Sequence, residues 1–301
     1  MSAINLDMDV LRTIVTAQRL GGFNRAAEQV GRSQSAVSQQ IHKLEERIGQ
    51  PLFKKRGRML ELTEAGEMVL AYARRILDLN DEAVTAVRGA SVEGAVRFGM
   101  PADFAETWLP MTLGRFKRTH PGVRVEASVD RNYLNIERLD RGQMDLVVAF
   151  GRSGRSDALP VASLPMAWIG AADGSLPWNP GEPVPLAMFE GSCVFRSAAT
   201  EALDAAGIPW TISFTSPGLP GLWAAVTAGL GITLRTAAGL PNTLRQLGPR
   251  DGLPPVSTIE LAMHDAGRPL TPASVRLREI IFDALDENIA ALPGAKLIGR
   301  R

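Results

Sequence analysis

The sequence predicts an α/β protein with a small helical head, one long connecting helix and a larger body of alternating strands and helices. Three observations predict this organisation. Residues 23–63 contain two short helical patterns and a basic hairpin, residues 64–88 contain a heptad pattern, and residues 92–301 alternate between strand and helix patterns. We therefore predict a head at 1–63, a linker helix and hinge at 64–91, and a body at 92–301 that is long enough for its own core.

Two helical patterns joined by a tight turn make up the first part of the head. The first helix is predicted to start near Asn24, whose amide side chain can accept hydrogen bonds from the N–H groups of a first turn. Gly31 lies where a sharp turn requires a residue without a Cβ, and Ser33 is a candidate N-cap for the second helix. Residues at helical spacing form the predicted buried faces: Ala26, Ala27 and Val30 in the first helix, and Ala36, Val37, Ile41, Leu44 and Ile48 in the second.

Uncharged polar side chains occupy the outer face of the second helix over its first two turns: Gln34, Ser35, Ser38, Gln39 and Gln40. Such donors and acceptors can recognise base edges in the major groove of DNA. The spacing of Ala27, Gly31 and Val37 is typical of the small residue, turn glycine and buried aliphatic residue of a helix-turn-helix. An ordinary helical hairpin with a polar outer face is the alternative interpretation.

A short basic hairpin follows the second helix. Apolar residues at 52–53 and 60–62 predict two short strands, and the tip of this β-wing carries Lys54, Lys55, Arg56 and Arg58. Such a tip suits contact with backbone phosphates or the minor groove. Residues 1–60 contain ten Lys or Arg and five Asp or Glu, a net charge of +5, whereas the whole chain carries only +1. A basic segment on a nearly neutral chain indicates a DNA-binding head on a larger body.

Residues 64–88 predict one long helix, because they contain no proline and only one glycine, at position 66. Apolar residues follow each other at alternating steps of four and three: Ala65, Val69, Tyr72, Ile76, Leu79, Ala83 and Ala86. This seam is typical of a helix that packs along a second helix, and we interpret it as a dimer interface. Packing on the core of its own domain is the alternative. Residues 89–91 are predicted to form a hinge.

The strand and helix patterns of the body predict a mostly parallel sheet with helical connections. The predicted strands are 96–100, 123–129, 145–150, 165–171, 185–189, 210–215, 232–234 and 259–264. The predicted helices are 104–118, 132–141, 194–206, 219–229 and 271–291. The chain is predicted to cross between two lobes twice, so that lobe one contains 92–161 and 266–301 and lobe two contains 162–265.

Ligands of open α/β sheets bind where strands end and helices begin, and three such corners are predicted here. They contain Met100, Pro101, Ala102, Asp103 and Phe104; Ser192, Cys193, Val194 and Phe195; and Thr215, Ser216 and Pro217. Backbone donors, hydroxyls and one aromatic ring suit a carboxylate or a small aromatic compound. Asp103 conflicts with a purely anionic ligand and favours an amine, a hydroxyl or a quinolone-like N–H group. Simple helix capping is the alternative at each corner.

The segment from Leu6 to Ile76 resembles the winged helix-turn-helix of LysR-type transcriptional regulators. The resemblance rests on LRTIVTAQRLGGFNRAA, SQSAVSQQIHKLEERIGQPLF and LTEAGEMVLAYARRIL. It implies that Gln34, Ser35, Ser38 and Gln39 recognise bases, and that further contacts to DNA come from Asn24, Arg25, Lys54, Lys55, Arg56, Arg58 and Thr63. Asn24 stands where the family usually has Ser or Thr, and Lys54-Lys55 stands where many members have Glu-Arg.

The body resembles the effector domains of the same family, which share the two-lobed architecture of periplasmic solute-binding proteins. AVRFGMPADFAETWLP, LDRGQMDLVVAF and AAVTAGLGITL carry this weaker resemblance. Leu234-Arg235-Thr236 departs from it, since members usually show Leu-Pro after this strand. SFTSPGLPGLWAAV and FEGSCVFRSAATEALDAAG resemble most a subgroup linked to motility, surface-lifestyle and virulence genes.

The resemblance implies a regulator that binds an interrupted palindrome of double-stranded DNA as a homodimer or homotetramer. A small-molecule effector in the cleft would control it, and an activator would also contact RNA polymerase. One alternative is a solute-binding module whose head serves assembly. Another is a thiol-based redox response through Cys193, although the chain has no second cysteine to resolve an oxidised thiol.

No motif in the sequence predicts catalysis or a cofactor. His42, His120 and His264 are scattered along the chain, and we predict none of them to be a metal ligand. Gly-x-Ser-x-Gly, phosphate-loop and dinucleotide motifs are absent. We find no secretory signal and no apolar run of the ~20 residues that a membrane-spanning helix needs, and a single cysteine suits a reducing compartment. The expectation is a cytoplasmic protein that is neither an enzyme nor a membrane protein.

Overall fold

The computed structural model describes residues 5–298 except positions 21, 30, 57–58, 88–91, 106, 152–153, 156–157, 180, 192 and 291. The predicted hinge at 89–91 therefore lies outside the described residues, as do Val30, Arg58 and Ser192. The chain divides into two compact units, Met1–Ala90 and Ser91–Arg301. The linker helix belongs to the same compact unit as the helix-turn-helix. The predicted head, linker and lobe boundaries otherwise stay predictions.

The first unit contains three helices, a hairpin and a long helix. They are α1 (Met8–Leu20), α2 (Phe23–Gln29), α3 (Gln34–Ile48), β1 (Phe53–Arg56), β2 (Met59–Leu62) and α4 (Glu64–Val87). A single apolar cluster joins α1, α2, α3 and the start of α4 through Ile14, Ala27, Val37, Ile41 and Leu70. The winged helix-turn-helix that the sequence predicts is therefore confirmed as a fold.

Local sequence signals explain where α3 begins and ends. The Ser33 hydroxyl accepts a hydrogen bond from the Ala36 N–H at 3.2 Å, which makes Ser33 the N-cap as predicted. Gly49 ends the helix with a φ of 80°, a left-handed conformation that glycine adopts without steric cost. The helix α2 begins at Phe23, close to the predicted start near Asn24, but Asn24 then lies within the first turn and not before it, so its predicted role as the N-cap was wrong.

The long helix α4 packs on α1 within the same unit. Leu70, Ala73 and Leu77 are buried, and the last two pack against Leu11 of α1. Arg12 of α1 also forms an ion pair with Asp81. For the N-terminal half of α4, the alternative of packing on its own core is therefore correct in part, since Ala65, Val69 and Ile76 are partly buried there.

The body contains alternating strands and helices. The strands are β3 (Gly94–Met100), β4 (Val123–Val129), β5 (Leu146–Phe150), β6 (Leu159–Ala171), β7 (Val184–Phe189), β8 (Trp210–Ser216), β9 (Thr233–Thr236), β10 (Leu244–Leu247), β11 (Thr258–Asp265) and β12 (Lys296–Leu297). The helices are α5 (Leu109–Thr119), α6 (Asn132–Asp140), α7 (Val194–Ala205), α8 (Leu219–Thr227) and α9 (Pro272–Ala290). Most of these bounds lie within two residues of the predicted ones.

The described strands of the body form an eight-stranded sheet and a two-stranded sheet. The large sheet has the order β10-β6-β11-β5-β3-β4, with β9 and β12 also paired to β6, and the small sheet is β7-β8. Only β3 pairs in parallel with its neighbours β4 and β5, while every other pair in the large sheet is antiparallel. The prediction of a mostly parallel sheet was therefore wrong. The strands β6 and β11 are antiparallel to each other and to their other partners, which accounts for most pairs of the large sheet.

The long strand β6 belongs to both lobes. Its first part, up to Pro165, pairs with β11, and its second part, from Met166 to Ala171, pairs with β9 and β10. The sequence predicted only the second part, because Pro160 and Pro165 interrupt the strand pattern. The predicted helix 104–118 was also wrong at its start: Ala102–Phe104 is a 3-10 turn, and α5 begins at Leu109.

Among the helices that the structure describes, none is long and apolar enough to cross a membrane.

Candidate functional site

The first two turns of α3 present a continuous polar face to solvent. Gln34, Ser35, Ser38 and Gln39 are all exposed, while Val37, Ile41 and Leu44 on the other side of the helix are buried. The helix therefore holds four uncharged hydrogen-bonding side chains away from its core. Such a face has the size and chemistry that fit the major groove.

The hairpin of the head is attached to both helices of the helix-turn-helix. Glu45 of α3 accepts hydrogen bonds from the N–H groups of Leu52 at 2.7 Å and Phe53 at 3.2 Å. The rings of Phe53 and Phe23 meet edge to face with centroids 4.9 Å apart. These contacts give the wing a defined position relative to α3. Lys54 is exposed on β1, whereas the side chains of Lys55 and Arg56 are outside the described part of the chain, like Arg58.

Three further residues were predicted to contact DNA. Asn24 is exposed, and the Arg25 side chain is outside the described part of the chain. The Thr63 hydroxyl donates to the Pro51 carbonyl at 2.6 Å and accepts from the Gly66 N–H at 3.0 Å. Thr63 therefore caps α4, and its contact with phosphate stays a prediction.

A cleft of about 910 Å³ opens in the body. It is lined at each of the three predicted corners, by Pro101, Ala102 and Asp103, by Cys193, Val194 and Phe195, and by Pro217. A cleft of this volume accommodates one small molecule.

Four residues that were predicted at these corners do not line the cleft. Met100 and Phe104 are buried in the main core of the body. Thr215 is exposed, and the Ser216 hydroxyl is bound to the backbone of Gly218. Contact of these four residues with an effector therefore stays a prediction. Ser192 lies outside the described residues.

A fourth corner, between β4 and α6, lines much of the cleft and was missed. Its side chains include Asp130, Arg131, Asn132, Tyr133, Ile136, Glu137, Asp140 and Arg141. The rule that located the other three corners also applies here, because a predicted strand ended at residue 129 and a predicted helix began at residue 132. Asn132 closes the corner: its amide donates to the Phe150 carbonyl at 2.7 Å and accepts from the Phe150 N–H at 3.3 Å.

A buried ion pair joins two parts of the cleft wall. Arg235 of β9 donates from Nε to Asp103 Oδ1 at 2.9 Å and from a terminal nitrogen to Oδ2. The Asp103 and Arg235 side chains are only 1% and 4% exposed. The guanidinium carbon lies 4.3 Å from the Phe195 ring centroid and 4.7 Å from that of Phe189. In the sequence, Arg235 was marked only by its position, where family members usually have the proline of a Leu-Pro pair.

The other carboxylates of the cleft wall also have arginine partners. Asp130 pairs with Arg138 at 3.1 Å, and Glu137 pairs with Arg141 at 2.6 Å. Asp140 forms an ion pair with Arg155. Cys193 is partly buried at the N-cap of α7. Within the described part of the chain, no group of three or more His, Cys, Asp or Glu side chains is arranged to hold a metal ion.

Two family models together match most of the chain. The model of the bacterial regulatory helix-turn-helix protein, lysR family, matches residues 8–67, and the model of the LysR substrate binding domain matches residues 89–286. The chain belongs to the LysR family of transcriptional regulators. The helices α2 and α3 are thus its DNA-binding helix-turn-helix, and the body is its effector-binding domain. The alternative of a solute-binding module with an assembly head is overturned.

Curated relatives of this LysR-type regulator are also named transcriptional regulators. The HTH-type transcriptional regulator PecT of Dickeya dadantii is 41% identical over 254 residues, which cover 83% of this chain and 79% of the relative. The HTH-type transcriptional regulator DgdR of Burkholderia cepacia is 34% identical over 273 residues, covering 88% and 90%. Neither family nor relative is an enzyme, in agreement with the sequence prediction.

Solved structures share the fold at low sequence identity. A putative LysR family regulator from Pseudomonas aeruginosa aligns with a TM-score of 0.52 at 17% identity, covering 93% of this chain and 99% of that one. DarR of Vibrio fischeri, solved in complex with DNA, gives a TM-score of 0.51 at 17% identity with the same coverage. Both likenesses support a helix-turn-helix fold in the first unit and a two-lobed fold in the body.

Proposed function

We propose that this LysR-type regulator binds an interrupted palindrome of double-stranded DNA as a homodimer and that effector domains can pair dimers into tetramers. The observation that carries the proposal is the exposed polar face of α3 beside a hairpin with the basic sequence FKKR. A symmetric pair of such heads matches a symmetric pair of half-sites. Gln34, Ser35, Ser38 and Gln39 would contact bases, and the wing would contact the backbone. The regulator would act on DNA in the bacterial cytoplasm.

The exposed apolar residues of α4 support the dimer. Tyr72 is 54% exposed, Leu79 is 64% exposed and Val87 is 86% exposed in the single chain. Met68 and Ala83 are exposed as well, and residues 68, 72, 79 and 83 lie on one face of the helix. A second copy of α4 would cover this stripe. The Ala86 side chain is not among those described, and its place in the seam stays a prediction.

The cleft supports control by a small molecule. It lies between parts of the two lobes, and its wall includes residues from β9 and from the corners after β3 and β4. A ligand that binds one arrangement of the lobes more tightly than another shifts the population toward it. In an activator this shift would change the contact with RNA polymerase. A redox response of Cys193 stays a prediction without a second cysteine to support it.

The DNA-sequence preference of variants in α3 tests the proposal. We expect the purified protein to bind a DNA fragment from its own promoter region and to lose affinity steeply as salt rises. Gln34→Ala should relax preference at one or two base positions by about 1–3 kcal/mol. Glu46→Ala, which changes an exposed residue in the last turn of the same helix, should leave the preference unchanged. Unaltered preference in Gln34→Ala would show that α3 is placed incorrectly in the groove.

A further inference from the structure

Among the residues that the structure describes, one arginine of the cleft wall has no carboxylate partner. The four carboxylates that line the cleft, Asp103, Asp130, Glu137 and Asp140, each pair with a different arginine. Arg131 also lines the cleft, and its side chain has no carboxylate partner among the described residues. The described part of the wall therefore carries one uncompensated positive charge, which is that of Arg131.

Arg131 has unused hydrogen-bonding capacity. Its Nε is shielded from solvent and has no hydrogen-bond partner among the described residues. Its guanidinium carbon lies 5.2 Å from the centroid of the Tyr133 ring, which holds the group without neutralising it. A buried donor without a partner is costly, and an acidic oxygen from a ligand would remove that cost.

Apolar and aromatic side chains form another part of the cleft wall. Phe150 and Phe195 meet edge to face with centroids 4.9 Å apart, and Phe189, Leu219 and Trp223 extend this apolar surface. Arg235 lies between Phe189 and Phe195, but Asp103 already occupies its donors on two nitrogens. The pairing also removes the conflict between Asp103 and an anionic ligand, because that carboxylate is not available to a ligand amine.

We propose that the effector is an amphipathic monoanion, with one acidic group on Arg131 and an apolar or aromatic part against the phenylalanine-lined wall. This inference rests on the proposed function of the cleft as the effector site. Compounds with an ammonium group lack a free carboxylate partner among the described cleft residues. Neutral analogues lack a charge to pair with Arg131. A ring system with a single acidic group can pair with Arg131 and also pack against the phenylalanine-lined surface.

Three naphthalene probes of similar size that differ in the charge of one substituent test the proposal: 2-naphthoate, 2-naphthamide and 2-naphthylmethylamine. We expect calorimetric titration of the full chain to show naphthoate bound at least tenfold more tightly than the amide, and no detectable binding of the amine. Arg131→Gln should abolish the preference for the acid, and Arg131→Lys should keep part of it. The control Arg276→Gln/Glu279→Gln removes an exposed ion pair outside the cleft without changing net charge and should keep the preference.

Several results would overturn the proposal. They are failure of naphthoate to bind the wild-type protein, equal binding of the amide or the amine, and survival of the acid preference in Arg131→Gln. An unchanged melting temperature would establish that Arg131→Gln is folded. Gel shifts with the same preparations distinguish a failure of the proposed ligand class from a failure of the proposed DNA-binding function. An intact salt-sensitive shift without acid preference overturns the ligand class alone, whereas absence of a shift in the wild type contradicts the proposed function.

Discussion

Removal of the charge on Asp103 tests the buried ion pair of the cleft. Asp103→Asn keeps the shape of the side chain, but it leaves the Arg235 guanidinium buried without a counter-charge. Both partners are almost inaccessible to water, with 1% and 4% exposure, so water cannot replace the lost carboxylate. The variant should therefore destabilise the body far more than loss of an exposed ion pair would.

The expected magnitude follows from the burial and from the remaining contacts. Removal of one partner of a buried pair costs about 3–5 kcal/mol, because the other charge stays buried. Arg235 keeps its contacts with the Phe189 and Phe195 rings, each worth ~0.5–2 kcal/mol. We therefore expect a loss at the lower end, about 3 kcal/mol in the free energy of unfolding. For a domain of this size that corresponds to a melting temperature lower by roughly 6–12 °C.

Equilibrium denaturation in urea measures this loss. Glu279→Gln is the matched control, because Glu279 pairs with Arg276 at 2.8 Å while both side chains are about half exposed. Loss of that exposed pair should cost less than about 1 kcal/mol. In Asp103→Leu/Arg235→Met both charges are absent, and most of the stability should return. A cost below about 1 kcal/mol for Asp103→Asn, or a double variant as unstable as the single one, would refute the reasoning.

Three further predictions concern the dimer, the backbone and pH. Leu79→Asp places a charge in the exposed stripe of α4 and should shift the protein toward a monomer in analytical ultracentrifugation; an unchanged dimer would count against the stripe. Gly239→Ala should cost about 1–3 kcal/mol, since φ is 68° and a Cβ would collide with the Asp103 carbonyl oxygen, whereas Gly267→Ala has a similar φ of 65° but open space and should cost less in the same urea assay. Burial lowers the pKa of His120 below its ordinary value of 6.5, so the unfolded chain binds a proton that the folded protein resists. Stability should therefore decline as pH falls below 6.5, and denaturation at pH 7.5 and 5.5 should show a smaller decline in His120→Gln.

Local structure was largely predictable from the sequence, because caps, turns and periodicity act over a few residues. Ser33 caps α3, Gly31 has a φ of 65° in the turn, and Val37, Ile41 and Leu44 form the buried stripe as predicted. The strand β4 has the predicted bounds. Family membership was predictable for the same reason, since the motifs of the head are contiguous in the chain.

The sequence predicted three of the strand ends and helix starts that surround the cleft, but not which side chains line it. The rule that ligands bind where strands end located three corners, but it did not decide which side chains face the cleft. Pro101 and Asp103 line it, while their neighbours Met100 and Phe104 are buried in the core. The strand directions were not predictable either, because the antiparallel pairing of β6 and β11 joins segments about a hundred residues apart and leaves no local signal.

The sequence by itself determined a LysR-type regulator with an exposed polar helix and a two-lobed body. Only the tertiary structure decided the electrostatics of the cleft. Asp103 and Arg235 are separated by 132 positions in the chain, yet they form one buried pair. Local patterns show which charges are present, but neutralisation depends on distances that exist only after folding. That pairing changes Asp103 from an obstacle to anionic ligands into a compensated group, and it leaves Arg131 as the free cation among the described residues of the cleft.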